Sequence, residues 1–364
     1  MSRPAALWAA WVRLLDRREP GDALAILRIG VGLVVAGSLI WLAAVGLVDV
    51  IWLDRTHGGY RTLERVPHLV RWLGGPTPAV IWGIVVAGIA GGLLVAVGLG
   101  GRLSAFVALQ AMIALHRLND EVSGSADVVM TNALWILVLA RSTETLSLDC
   151  WLKRRRFRSD EEVPAFPRYL VLLQLALIYG STGLAKLSVH WLPLGGYSAI
   201  YYIMQQPAWQ RFDMTWVSHA YPVTQLATAV TWLFEITSPL LLVVYYCRRT
   251  ADRGGRLRRW LNRFDLRIPY ALTGLSLHVF IFATMVVGPF SHIMLALYVC
   301  MWSPAELRAA WARVRAKLGR GAVAAGEGAA GEGAAGAVAA GEVVAGEIAA
   351  GEITPARSSA PPAP

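Results

Sequence analysis

Long apolar stretches separated by short polar connections dominate the chain. A membrane-spanning helix needs about 20 mostly apolar residues, and most of the stretches reach or approach that length. The two shortest are 102–118 and 289–304, and the second of these could be a partial span. The pattern predicts an all-α, polytopic transmembrane helical bundle of about eight spans, over 24–47, 77–99, 102–118, 127–145, 168–187, 221–247, 268–287 and 289–304.

Composition supports this interpretation and sets an orientation. Hydrophobic residues make up 56% of the chain and charged residues 16%, with a formal net charge of +10. The arginines cluster in loops such as 153–158 and 248–267, where the positive-inside rule places cations. We therefore expect no nucleic-acid partner, both termini in the cytoplasm, and a multi-pass protein of a bacterial-type inner or plasma membrane. Loops 48–76, 118–126 and 188–220 then face outward.

The chain divides into four parts by composition. Residues 1–20 form an amphipathic segment without a cleavage site, so we expect a retained anchor. The transmembrane domain covers 21–305, a basic cytoplasmic segment 306–320, and a disordered tail rich in Ala, Gly and Glu 321–364. The three cysteines have no CxxC spacing, so neither disulfides nor a metal site is indicated.

Charged side chains inside spans are costly and usually find a partner in the protein interior. Arg28, Glu235 and His278 are such residues, and Glu235 lies in a stripe of hydroxyl side chains at helical spacing. We expect Glu235 to bond His278 or Arg28. The sequence leaves open whether this network is structural or serves proton or substrate transfer.

Lys186 ends the fifth apolar stretch, and the direction of the chain places it near the outer face. Tyr179 and Gly183 share its helix face, and Gly183 permits close approach of another helix or of a flat ligand. Lys186 either extends to interfacial water or is a partly desolvated amine that acts as a base. Other polar and aromatic residues emerge at a similar level and suggest a pocket: His116, Asn119, Asp127, His190, Trp191 and His292.

Five stretches resemble the HTTM domain family, the membrane part related to vitamin K-dependent γ-carboxylase. "ALAILRIGVGLVVA" is similar to its opening helix with Arg28, and "HRLNDEVSGSADVVMTNALWIL" to its third-to-fourth connection with Asn119 and Asp127. "YGSTGLAKLSVHWLPLGGY" resembles its lysine–tryptophan motif, and "WLFEITSPLLLV" and "HVFIFATMVVGPFSHIMLALYVCMW" resemble its late helices, with Glu235, His278 and Phe290. The likeness covers about residues 20–305.

The resemblance implies that Lys186 is the base that deprotonates a quinol similar to vitamin K hydroquinone. It implies a quinol-dependent oxidoreductase or carboxylase-like enzyme, without a metal, that acts at an outward-facing pocket. The predicted pocket residues are His116, Asn119, Asp127, Tyr179, Gly183, Trp191, Phe290 and His292. The alternative is a non-enzymatic membrane protein for maturation of, or immunity to, a small secreted peptide. A transporter is disfavoured because no inverted repeat is evident.

Overall fold

The apolar stretches form helices almost everywhere. The computed structural model describes residues 3–317, so the predicted tail 321–364 and residues 318–320 of the basic segment lie outside the described residues. The helices are α1 Arg3–Leu15, α2 Asp22–Ala44, α3 Leu47–Trp52, α4 His68–Trp72, α5 Pro78–Val97, α6 Gly101–His116, α7 Ser125–Leu139, α8 Leu148–Arg154, α9 Phe166–Ala185, α10 Ala199–Met204, α11 Tyr221–Ile236, α12 Leu240–Arg249, α13 Arg256–Arg263, α14 Arg267–Thr284 and α15 Phe290–Leu297. Two strands, β1 Arg18–Pro20 and β2 Glu162–Pro164, pair antiparallel.

An all-helical bundle is therefore observed, with fewer full-length spans than predicted. Within residues 3–317, three helices, α2, α5 and α9, are long and apolar enough to cross a membrane. Two bent pairs, α11 with α12 and α13 with α14, bring the number to five if each pair is one span. The remaining apolar helices are shorter: α6, α7 and Phe290–Met301.

The sixth predicted span, 221–247, is broken in its middle. Helices α11 and α12 meet at an angle of 55°. Pro239 lies in the break, and a proline has no backbone N–H and clashes with the preceding turn of a helix. The Ser238 hydroxyl at the break donates to the Ala176 carbonyl of α9 at 3.0 Å. This hydrogen bond attaches the bent helix pair to α9 at the break.

Small residues allow the helices to pack closely. A Cβ added to Gly32 of α2 would lie 2.4 Å from the Ala96 nitrogen of α5, and one added to Gly91 would lie 2.9 Å from the Ala108 nitrogen of α6. Such close backbone approach is typical of membrane helix pairs. In this way α2, α5, α6 and α7 pack in chain order, while α15 contacts both α2 and α7.

The basic segments meet at one end of the bundle, which we call the arginine-rich face. The β1–β2 pairing joins the N-terminal segment to the loop before α9. Arg168 at the start of α9 donates to both oxygens of Glu19 at 2.6 and 2.8 Å. Arg249 of α12 contacts the ring of Tyr169, 3.7 Å from its centroid. These contacts gather the N-terminal segment and the loops 153–165 and 248–267 at the same end.

An ion cluster of four residues, Arg248, Asp265, Arg267 and Glu306, stabilises this face. Arg267 donates to Asp265 at 2.7 Å and to Glu306 at 2.7 Å, and the Ser303 N–H donates to Glu306 at 2.7 Å. Chiefly the hydrogen bonds from Arg267 lower the pKa of Glu306 to about 2 from an ordinary 4.5. The charged form of Glu306 is thus favoured in the folded state.

We expect this cluster to contribute stability that depends on pH. A carboxyl whose pKa falls on folding stabilises the fold above its unfolded pKa, and this contribution disappears as the pH falls from about 4.5 to about 2. Glu306→Gln should lower the free energy of unfolding by about 1 kcal/mol at pH 6, a value reduced by the partial exposure of Glu306. Thermal unfolding of detergent-solubilised protein between pH 6 and pH 2 measures this difference.

The exposed Glu64 provides the matched control. Glu64→Gln should leave the unfolding temperature within error of the parent protein at every pH. A Glu306→Gln deficit that is equally large at pH 2 would contradict the ionic origin of this stabilisation.

Candidate functional site

Lys186 and Glu235 form an ion pair between α9 and α11. The Lys186 ammonium donates to Glu235 Oε1, and the side chains are 26% and 5% exposed. Lys186 follows the last residue of α9, and its backbone N–H closes that helix by donating to Thr182 at 3.0 Å. The end of α9 thus presents the ammonium to the one carboxylate of α11.

Two predicted pocket residues contribute to the surroundings of this pair. The Lys186 ammonium lies 4.7 Å from the ring centroid of Trp191, a distance at which a cation is attracted to an indole face. A Cβ added to Gly183 would lie 2.6 Å from the Ile236 nitrogen. Gly183 therefore allows α11 to approach α9 closely. Of the two neighbours that the sequence allowed at this glycine, a helix or a flat ligand, the structure has the helix.

The pair lies inside the molecule, beneath a segment that we call the cap, residues 188–220. Helix α11 continues 14 residues from Glu235 back to Tyr221, about 21 Å at 1.5 Å per residue. The cap packs along this part of α11: the Ile200 N–H donates to Thr228 at 3.1 Å, and Tyr221 donates to the Gly196 carbonyl at 2.8 Å. The cap and this part of α11 therefore extend beyond the level of Lys186.

Next to the pair lies a buried polar and aromatic cluster. Tyr179 of α9 bonds the His278 Nε2 of α14 at 2.6 Å and receives the Tyr298 hydroxyl at 2.8 Å. Phe234, the neighbour of Glu235, packs on Tyr179 with ring centroids 4.8 Å apart. Phe290 packs edge-on against His278 at 5.5 Å. Tyr179 and Phe290, two of the predicted pocket residues, thus lie in one cluster with His278, which was predicted for the intramembrane network.

Three polar atoms of this region make no hydrogen bond of good geometry within the described residues, although the Glu235 carboxyl and the Tyr270 hydroxyl interact with Thr182 and Ser238. They are Glu235 Oε2, His278 Nδ1 and the Tyr270 hydroxyl, each buried from solvent. Tyr270 lies beside both Phe234 and Tyr179, with ring centroids 4.5 and 6.4 Å away. Buried polar groups are nearly always bonded in proteins, so three unsatisfied atoms around one cluster indicate a place for polar ligand atoms or water.

The predicted intramembrane network of Arg28, Glu235 and His278 does not form. Glu235 bonds Lys186 and His278 bonds Tyr179. Arg28 is 2% exposed and donates to four backbone carbonyls, those of Val95, Ala96, Ser142 and Leu146. The reason is that α5 ends at this point, and the unpaired carbonyls of a helix C-terminus attract a cation.

The remaining predicted pocket residues lie elsewhere. His116 and Asp127 pair with each other at 2.9 Å, and Asp127 also accepts from the Gly124 N–H at 2.7 Å. Asn119 donates to the Ile51 carbonyl at 2.8 Å. These contacts join the α6–α7 connection to itself and to α3, away from Lys186. His292 is exposed and packs on the ring of Phe282, so the predicted convergence of all rim residues on Lys186 is wrong.

Two cavities of the bundle are separate from the pair. One of about 540 Å³ lies between α4, α5 and α6, with Gln110 among apolar side chains. Another of about 220 Å³ is lined by Arg102, Arg141 and Glu144. Neither is lined by Lys186, Glu235 or Trp191.

Sequence reasoning missed two residues of the cluster, Tyr270 and Tyr298. Both are tyrosines within apolar stretches, and a buried tyrosine usually needs a partner for its hydroxyl. That need is a usable signal, since Tyr298 donates to Tyr179. Reasoning from charge alone passed over both because a tyrosine is neutral.

The family model of the HTTM domain matches residues 17–253. The chain belongs to the HTTM domain family. This domain is a membrane domain of vitamin K-dependent carboxylase-type proteins, so the chain is an HTTM-domain membrane protein. Comparison with curated proteins and with solved structures found no match. Within the HTTM match lie Arg28, Lys186, Trp191 and Glu235, whereas His278, Phe290 and Tyr298 follow its end.

Proposed function

We propose that this protein is a quinol-dependent, carboxylase-like membrane enzyme in which Lys186 is the base. The observation that carries the proposal is the Lys186–Glu235 ion pair, held beneath the cap with Trp191 over the ammonium. Burying two opposite charges costs desolvation free energy. Such a pair is expected where its geometry offsets that cost or where the pair has a function. The resemblance of the "GLAKLSVHW" stretch to the lysine–tryptophan motif supplies the reaction class.

The pair provides the proton transfer that a lysine base requires. A protonated ammonium cannot accept a proton, so Lys186 must first lose one. Glu235 Oε1 contacts that ammonium and is the acceptor: transfer leaves a neutral amine and a neutral carboxylic acid. Lys186 then takes the substrate proton and becomes an ammonium again. Trp191 keeps the amine positioned through its ring face.

We propose that the atoms without hydrogen-bond partners bind the hydroxyls of a small dihydroxy aromatic substrate. A bound quinol supplies weakly acidic hydroxyls and two electrons. His278 Nδ1 and Glu235 Oε2 are buried and lack partners, and both suit a hydroxyl. The edges of Tyr270 and Phe290 around His278 and Tyr179 form the aromatic part of the same region. We propose that His278, Glu235 and Phe290 hold the quinol next to Lys186.

The expected assay result is a loss of turnover that depends on the amine. Oxygen-coupled epoxidation of vitamin K hydroquinone by the purified protein should fall by about 10²–10⁴-fold in Lys186→Ala, the typical contribution of a general base. Lys186→Arg should be equally inactive, because a guanidinium does not give up its proton at working pH. Lys153→Ala, which changes an exposed lysine of α8, is the matched control and should keep full turnover.

Turnover that survives both Lys186 substitutions would overturn the base role. Inactivity of all proteins, the parent and the control included, would instead leave the second candidate function in place.

That second candidate is binding of a small secreted peptide for its maturation or for immunity to it. The cap favours it because it exposes aromatic side chains, with Phe212 51% and Trp216 56% exposed. Aromatic side chains are enriched where proteins bind partners. Binding of such a peptide should be lost on Phe212→Ser with Trp216→Ser and unaffected by Lys186→Ala.

We further propose the complete topology of about eight spans with both termini in the cytoplasm of a bacterial-type inner or plasma membrane. The gathering of the basic segments at the arginine-rich face supports it, because cations favour the cytoplasmic side. The short helices α6, α7 and α15 then complete the spans, together with the bent pair α11–α12 and with α14. The lipid bilayer is the primary partner of the domain.

Labelling with a membrane-impermeant maleimide on intact cells should distinguish the two ends of the bundle. The three native cysteines are buried, so an introduced cysteine dominates the signal. Ser218→Cys in the cap should react from outside, whereas Arg253→Cys at the arginine-rich face should react only after the membrane is permeabilised. The reverse pattern would overturn the orientation.

A further inference from the structure

Helix α13 is a short basic helix set apart from the spans. It runs from Arg256 to Arg263 and meets α14 at an angle of 50°. Four of its eight residues are arginines. Because it turns away from the axis of α14, it does not continue that apolar helix toward the bilayer interior. It lies at the arginine-rich face, between the ends of α12 and α14.

The side chains of α13 separate into two arcs. At 100° per residue, Leu257, Trp260 and Leu261 fall on one side of the helix, and the four arginines with Asn262 fall on the other. Leu257 is 64% exposed, Trp260 54%, and Phe264 directly after the helix 48%. An exposed apolar arc beside a basic arc, with a tryptophan between them, is typical of helices that lie in the membrane surface.

The protein fixes the orientation of this helix. Leu261 is buried against Val244 and Cys247 of α12. The Asn262 side chain donates to the Cys247 carbonyl at 3.1 Å. One edge of the apolar arc is therefore attached to the bundle, and none of the described residues covers the arc formed by Leu257, Trp260 and Phe264.

Three arginines of α13 have no acidic partner in the part of the chain that the structure describes. The nearby carboxylates Asp265 and Glu306 are engaged by Arg248 and Arg267. Among the described residues 3–317, Arg256, Arg259 and Arg263 form no ion pair with a carboxylate and their side chains are exposed. Their charge is thus available to an anionic surface.

We propose that α13 lies in the membrane surface and binds the headgroups of anionic phospholipids. The exposed Leu257, Trp260 and Phe264 enter the boundary between headgroups and acyl chains, and Arg256, Arg259 and Arg263 contact the headgroup phosphates. This is independent of the quinol chemistry proposed for Lys186. It gives the 248–267 loop a binding role, in addition to its effect on topology.

The test is a lipid titration of the full-length protein in a zwitterionic detergent. Phosphatidylglycerol should raise the unfolding temperature, whereas phosphatidylcholine at the same concentration should leave it unchanged. Each arginine near an anionic surface strengthens binding by about fivefold. The variant Arg256→Gln/Arg259→Gln/Arg263→Gln should therefore need on the order of 100-fold more phosphatidylglycerol for half of the rise.

The control removes three exposed arginines from other loops, in Arg55→Gln/Arg65→Gln/Arg117→Gln, and should titrate like the parent protein. Leu257→Ser with Trp260→Ser should also weaken the response, since the apolar arc is part of the site. An equal rise with phosphatidylcholine, an unchanged midpoint in the α13 variant, or the same rise with inorganic phosphate would each overturn the proposal.

Discussion

Replacing Lys186 by methionine should destabilise the protein by about 3 kcal/mol, the lower end of the cost of breaking a buried ion pair. Glu235 is 5% exposed and Lys186 is its ion-pair partner, so the substitution leaves a buried carboxylate without its cation. The lower value applies because Lys186 is 26% exposed and the pair is therefore only partly buried. Thermal unfolding in detergent measures the loss.

A double variant distinguishes the contribution of the ion pair from the contribution of each side chain alone. In Lys186→Met/Glu235→Leu both charges are gone, and an apolar pair of similar volume is often as stable as a buried ion pair. We expect the double variant to recover most of the loss, which corresponds to a coupling energy of about 2 kcal/mol between the two sites. Lys153→Met on the exposed side of α8 is the control and should change little. A double variant as unstable as the sum of both single variants would contradict the pairing.

Arg28→Met should have an effect of similar or larger size on the fold. The guanidinium donates to four carbonyls, at 2.5 and 2.8 Å to Val95 and Ala96 and at 3.2 and 2.6 Å to Ser142 and Leu146. Each buried acceptor left unsatisfied costs about 1–3 kcal/mol, and the positive charge that favours the C-terminus of α5 is lost as well. We expect a loss of about 3–5 kcal/mol in the free energy of unfolding.

Lysine cannot replace this arginine. Its single ammonium has three donors on one atom, whereas the four carbonyls belong to two separate parts of the chain that the planar guanidinium bridges. Arg28→Lys should therefore remain destabilised by about half as much. Arg18→Met, which removes an exposed arginine with one bond to the Glu162 carbonyl, is the control. Equal unfolding temperatures for Arg28→Met and Arg18→Met would contradict the capping role.

Hydrophobic patterning predicted where the helices lie and which segments are apolar. It did not predict the break at Pro239, because a proline within an apolar run either bends a helix or ends it, and tertiary contacts decide which. Here the Ser238 bond to Ala176 fixes the bend. Patterning also could not show that 188–220 folds back along α11, because that segment mixes aromatic, polar and proline residues without a period.

The fold-back explains why the partner of Lys186 was not predicted. Counting residues placed Lys186 at the outer level and Glu235 near the middle, at different depths. The structure brings both to one level because α11 extends about 21 Å beyond Glu235. The partners of Arg28 are backbone carbonyls of the end of α5 and of the segment after α7, which a pattern of charged side chains does not reveal. Gly183, Trp191 and Tyr179 could be placed near Lys186 from the sequence, because they are close to it along the chain, on α9 or in the segment that directly follows α9.

The most direct test of the account is the turnover of the Lys186→Met/Glu235→Leu protein in the quinol epoxidation assay, measured at a temperature where its unfolding curve shows it fully folded. We predict a protein as well folded as the parent and without detectable turnover, because the amine and its proton acceptor are both absent. Turnover at the parent rate in this folded double variant would contradict the claim that the Lys186–Glu235 pair performs the chemistry.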